Sequence, residues 1–136
     1  MARTRGAAAP ERLIIDSGPI INWSRGDART RAVMRRAVEL GCDMTVPVIV
    51  LAEVLRGGAR DAPVHRVLKS VDVPSTPSMA GRVAGGLLGT TGGVNTADAL
   101  VAAEAVLRPG CTLLTADPGD LAPLLVDHPE VHLQVI

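Results

Sequence analysis

Arg12-Leu13-Ile14-Ile15-Asp16-Ser17-Gly18-Pro19 decides how this chain reads. A continuous apolar run marks a strand buried on both faces, the habit of a parallel sheet. Here the run ends on an acid, and Ser17-Gly18-Pro19 opens a short helix through Trp23. Acids are among the residues least often buried, because an unpaired ion away from water is very costly. Glu53, Asp98 and Asp117 are set in apolar surroundings in the same way. Glu53 interrupts Val46-Pro47-Val48-Ile49-Val50-Leu51-Ala52 and Val54-Leu55, Asp98 opens a run of Ala and Val, and Asp117 follows Leu113-Leu114-Thr115-Ala116. Such placements call for compensating positive charge, from arginines or from a bound divalent cation.

Outward from the first strand, strands and helices alternate. Asp27 to about Leu40 reads as a helix with Asp27 as N-cap and Gly41 as stop, its Val33, Met34, Ala37, Val38 and Leu40 on one side. Asp43 to Val46 is a short strand, and Pro47 begins an apolar helix that carries Glu53 and ends at Gly57-Gly58. Asp61 is expected to cap a helix from Ala62 to Ser70, followed by a third strand at Val71-Asp72-Val73. Pro77 to about Leu88 is helical although glycine-loaded, each glycine costing about 1 kcal/mol relative to Ala. Thr90 to Asn95 is a loop, and Thr96 caps an Ala-rich helix to Leu107. A strand from Cys111 to Thr115, a helix from Pro118 to about Val126 and a strand from Val131 to Ile136 complete the pattern. This alternation predicts an α/β fold: a single-domain parallel β-sheet flanked by α-helices on both faces. Residues 1–11 read as a mobile N-terminal tail, and residues 12–136 as the domain.

With 136 residues the chain can bury one good core. Its 14 basic residues, Lys69 the one lysine among them, balance 14 acids, so no global field draws it to nucleic acid or membrane. Trp23 is the sole aromatic, which excludes a stacking platform of several aromatic rings. Cys42 and Cys111 show no metal spacing and suit a reducing cytoplasm. They begin the second and fourth strands; with the first strand between them they stand roughly 9–10 Å apart, beyond disulfide reach. No uncharged apolar segment approaches the roughly 20 residues of a spanning helix. A cytoplasmic protein with no membrane partner is expected.

Each acid has a structural reading as well. Asp117-Pro118-Gly119-Asp120 has the form of an N-cap with proline at the first helical position. Asp16 could serve as a turn residue after its strand, and Asp98, near a helix start, suits the dipole. Glu53 has no such role, with Arg56 its one local partner. In an open parallel sheet, ligands bind beyond the carboxyl ends of the strands. Asp16 and Asp117 lie just past two such ends, and a central first strand would bring all four acids together. Crowded carboxylates repel; magnesium or manganese, hard cations that take oxygen ligands, would relieve them.

These stretches resemble the PIN-domain ribonucleases, above all the VapC-type toxins of bacterial toxin–antitoxin pairs. The matching segments are Leu13-Ile14-Ile15-Asp16-Ser17, Val46 to Val54, Thr96-Ala97-Asp98-Ala99-Leu100-Val101-Ala102-Ala103, and Leu113 to Leu121. The resemblance runs from about Arg12 to the end. It implies a metal-dependent endoribonuclease that hydrolyses RNA phosphodiester bonds, acts as a toxin and is restrained by a cognate antitoxin. Asp16, Glu53, Asp98 and Asp117 match the acidic quartet, as catalytic residues and ligands of Mg2+ or Mn2+. Asp120 matches an extra acid, and Ser17 and Thr115 match supporting hydroxyl positions. Homodimerisation and 5′-phosphate products are further implications. Gly18-Pro19 and Gly92-Gly93-Val94-Asn95 depart from the family's commoner pattern.

Arg56, Arg60, Arg66 and Lys69 follow Glu53 and could line a groove for RNA. Arg25, Arg29, Arg31, Arg35 and Arg36 read as a solvated helix face. The alternative function is a catalytically silent PIN-like scaffold that binds protein. A phosphoacceptor domain is disfavoured because Lys69 precedes the third strand. A small metal-dependent phosphatase lacks its Asp-x-Asp after the first strand.

Overall fold

A computed structural model describes residues 12–136; the expected tail, residues 1–11, lies outside the described residues. Strand β1 (Arg12–Ile15) is central, flanked by β2 (Asp43–Thr45) and β3 (Thr112–Thr115), with β4 (His132–Val135) beyond β3. Every pairing is parallel, with Ile14 beside Thr45 and Leu113, and Leu114 beside Ile15. Side chains of a strand alternate between faces, yet Leu13, Ile14 and Ile15 are all buried, as is the whole of β3. Both faces of the central pair are therefore covered, as the apolar runs require. The expected third strand contracts to a single parallel bridge between Asp72 and Thr45 at the β2 edge. The chain passes from β1 outward to β2, then returns to the other side of β1 for β3. The boundary between β1 and β3 is thus the point where the strand order reverses, where parallel sheets open a crevice.

Helix α1 (Ser17–Ser24) follows β1 directly, and α2 (Ala28–Glu39) follows α1. The Asp27 carboxylate caps α2 by accepting from the Thr30 N–H at 2.9 Å, and Gly41, at φ 71°, ends it. Its buried stripe is narrower than the sequence suggests: Thr30, Met34 and Ala37 are inside, whereas Val38 and Leu40 are exposed. Helix α3 (Val48–Val54) stops at Leu55, short of the glycines. A 3₁₀ turn (Ala59–Asp61) leads into α4 (Ala62–Leu68). Asp61 does not cap α4 with its side chain; its Oδ2 instead accepts from the Arg56 and Gly57 N–H groups at 2.9 and 2.7 Å. Those bonds satisfy backbone donors of the loop after α3.

Helix α5 (Ser78–Thr91) persists through its glycines and into the expected loop. Ala80, Ala84 and Leu87 form its buried stripe, and the Thr90 and Thr91 hydroxyls donate back to the carbonyls of Gly86 and Leu87. Packing against α6 (Thr96–Val106), whose buried face is Ala99, Val101, Ala102, Ala103 and Ala105, offsets the weak propensity. Asn95, not Thr96, caps α6, its side chain accepting from the Asp98 N–H at 3.0 Å. After β3 come α7 (Pro118–Leu121) and a 3₁₀ turn (Ala122–Leu125). Cys42 and Cys111 precede β2 and β3, on opposite sides of β1, and neither forms a disulfide. No helix among the described residues is long and apolar enough to cross a membrane.

Candidate active site

Asp16 stands at the carboxyl end of β1, its backbone N–H donating to Leu114 at 3.0 Å so that the ladder with β3 extends one residue beyond the strand. Its side chain is 7% exposed. One oxygen accepts from the Ser17 N–H at 2.8 Å, capping α1, and the other from the Thr115 hydroxyl at 2.9 Å. Asp16 therefore does serve as a cap, and it is also fixed in place from both sides. The Thr115 hydroxyl, fully buried, accepts in turn from the Asp117 N–H at 3.0 Å. Ser17 contributes its backbone N–H; its hydroxyl makes no hydrogen bond among the described residues.

Asp117 holds the N-cap position of α7, but its carboxylate makes no capping bond. The Thr115 hydroxyl holds the Asp117 N–H, and Asp117 itself is exposed. Asp120 follows within α7, and the charge of Asp117 and a carboxyl–carboxyl hydrogen bond with it hold Asp120 above its ordinary pKa. Asp98 sits in the first turn of α6, half-buried. Burial, then the charges of Asp120, Asp16 and Asp117, push its pKa to about 6. Glu53 occupies the last turn of α3, where an acid opposes the helix dipole. Burial raises its pKa, as do the nearby charges of Asp16 and Asp98.

The charge of Asp16, at the end of β1, thus acts on Glu53, Asp98 and Asp120, and that of Asp117, after β3, on Asp98 and Asp120. The ion pairs among the described residues are Arg108–Glu104 and His128–Glu130, so none of the described basic side chains pairs with these acids. Arg56 does not pair with Glu53; its Nη1 donates to the carbonyls of Ala52 and Leu55. The chemistry of the set, carboxylate oxygens without a counter-charge, fits a hard divalent cation. Yet among the described residues no three His, Cys, Asp or Glu side chains are set closely enough to enclose a bare ion. Magnesium usually retains several waters and takes only one or two carboxylates directly, so the two observations are compatible.

The basic residues divide. Arg56 and Arg60 line a cavity that reaches Glu53, Arg66 lines a separate one beside Trp23, and Lys69 at the end of α4 lines neither. Asn95, Gly18, Asp61 and Arg25 also shape the region, although the sequence alone gave none of them a place in the site. A Cβ on Gly18 would stand 2.7 Å from the Ala116 Cβ, so glycine lets the start of α1 and the loop bearing Asp117 close together. Of these, the Asn95 cap had a local signal, Asn being preferred at that position just ahead of an apolar run.

No family model and no curated protein matches the chain. Solved structures do. VapBC2 from Rickettsia felis, bound to a DNA fragment from their promoter, matches with TM-score 0.75 at 14% identity, covering 92% of this chain and 98% of that one. A toxin–antitoxin complex from Klebsiella pneumoniae gives TM-score 0.68 at 16% identity over 88% and 94%. VapBC-1 from nontypeable Haemophilus influenzae gives 0.67 at 17% over 91% and 97%. Such likeness establishes the architecture: the chain has a VapC-like PIN fold, as its acidic motifs led one to expect.

Proposed function

We propose that this protein is a metal-dependent endoribonuclease acting as the toxin of a toxin–antitoxin pair. One observation carries the reading: the charges of Asp16 and Asp117 act on Glu53, Asp98 and Asp120 around the end of β1, and no basic side chain among the described residues pairs with these acids. Such a group repels an anionic phosphodiester unless a cation intervenes. Asp16, Asp98 and Asp117 would hold Mg2+ or Mn2+, directly or through water, with Asp120 and Glu53 at the margin. When bound, the ion supplies the positive charge that draws in the phosphate and acidifies a water for in-line attack. Asp16, pinned by Thr115 and the Ser17 N–H, offers the fixed point of the site. Glu53, with its raised pKa, is suited to orient the attacking water and accept its proton.

The toxin role rests on the company the fold keeps, since a structural neighbour is itself a toxin–antitoxin complex. A cognate antitoxin would block such a pocket by placing a basic side chain among the acids and covering apolar surface near Trp23 and Leu55. Homodimerisation and a cytoplasmic location belong to the same proposal. The test compares wild type with Asp98→Asn on single-stranded and structured RNA, in magnesium and in EDTA. Cleavage is expected only for wild type in magnesium; equal cleavage by both proteins ends the assignment. A silent protein-binding scaffold is the second reading, favoured by the absence, among the described residues, of three acids close enough to enclose a bare ion. It predicts partner binding with no cleavage under any divalent metal.

A further inference from the structure

A cavity of about 500 Å³ opens beside Glu53, lined by Arg25, Arg56, Arg60 and Asp61. Its volume falls in the range of small-ligand sites. Arg25 comes from the end of α1, and Arg56 and Arg60 from the segment between α3 and α4, so the cluster belongs to the tertiary fold. Neither Arg25 nor Arg60 makes an ion pair among the described residues. Arg56 is fixed by two main-chain carbonyls and retains its full charge. The carboxylate of Asp61 is occupied by the Arg56 and Gly57 N–H groups, an internal brace of the loop that carries Arg56 and Arg60. Three arginines therefore line a space that Glu53, an acid of the proposed cleavage site, lines as well.

We infer that this cavity is a phosphate subsite that grips the RNA backbone next to the phosphodiester being cut, with Arg25, Arg56 and Arg60 as its donors. The assignment of Arg25 moves it from a solvated helix face to the substrate. Guanidinium suits the task, since its planar fork matches phosphate geometry. A single strand fits better than a duplex, because a backbone passing from this cavity to Glu53 must bend into a concave wall. The inference rests on the ribonuclease reading, and it concerns affinity rather than chemistry.

The experiment measures binding of a short fluorescent single-stranded RNA by anisotropy, in EDTA, across a salt series. Arg25→Ala and Arg60→Ala should each weaken binding about 5–10-fold and reduce the salt slope by about 0.7, one phosphate contact apiece on a single strand. Arg35→Ala, on the exposed face of α2, should change affinity less than 2-fold. Wild-type affinity and slope in both cavity variants would overturn the subsite, as would an equal loss in Arg35→Ala, which indicates diffuse attraction. Loss of poly-glutamate binding with RNA binding intact would assign the cavity to an acidic protein segment and overturn it too. Magnesium-dependent cleavage, measured separately on wild type and Asp98→Asn, distinguishes failure of the subsite from failure of the nuclease reading.

Discussion

The Thr115 hydroxyl donates to Asp16 at 2.9 Å and accepts from the Asp117 N–H at 3.0 Å, so one buried atom ties the ends of β1 and β3 to two acids. Thr115→Val keeps the shape and removes both bonds. A buried group left without its partner costs about 1–3 kcal/mol, and that loss should be measurable by chemical denaturation. RNA cleavage should fall by more than the fraction unfolded explains, because Asp16 loses one of its two restraints. Unchanged stability and cleavage in Thr115→Val would remove this hydroxyl from the account of the site.

Asp98 sets a pH dependence for the metal-free protein. Its proton leaves the unfolded chain near about 3.9 and the folded chain at about 6. The folded state thus holds the proton more tightly, and this contribution to stability is fully present below the lower value and lost as pH rises through the upper one. In EDTA, wild type should lose stability between about pH 4 and about pH 7, and Asp98→Asn should flatten that decline. Above neutral pH the variant should be the more stable protein without metal. Added magnesium should stabilise wild type and do less for the variant, as thermal melts would show.

Gly18 is tested by adding one methyl group. Gly18→Ala places a Cβ 2.7 Å from that of Ala116, and the two acid-bearing turns must move apart. Cleavage should drop several-fold with a modest loss of stability. The double substitution Gly18→Ala with Ala116→Gly should restore most of the activity; no recovery would point to a cause other than this contact.

Asp61→Asn weakens the brace on the loop after α3. Trypsin should then cut at Arg56 or Arg60 faster than in wild type, followed by mass spectrometry of the fragments. RNA affinity should fall alongside, since Arg56 and Arg60 lose their shared support. Equal proteolysis rates would mean that the loop is held by other contacts.

How much of this could be read in the sequence follows from where the information lies. Leu13-Ile14-Ile15 and Leu113-Leu114 are continuous apolar runs, so the buried strands and the acids that follow them were legible directly. The capped ends of α2 were legible too, because Asp27 and Gly41 act on their own neighbours. What escaped depends on contacts between distant segments. Asp61 has the local form of a cap, but the loop five residues earlier takes its oxygen. Asp117 has the same form, yet its carboxylate makes no capping bond. The glycines of α5 suggest an early end, yet packing on the alanine face of α6 carries the helix to Thr91. Arg25 looks like surface because nothing in its own helix announces the cavity formed with Arg56 and Arg60.

The placement of β3 beside β1 has a consequence for synthesis. The hydroxyl and carboxylate that join the two strand ends are 99 positions apart, so a ribosome must make everything between them before they can meet. Any product truncated ahead of Thr112 lacks the strand that completes the centre of the sheet. Interrupted translation would therefore yield fragments without the paired strand ends that hold Asp16 and Thr115 together.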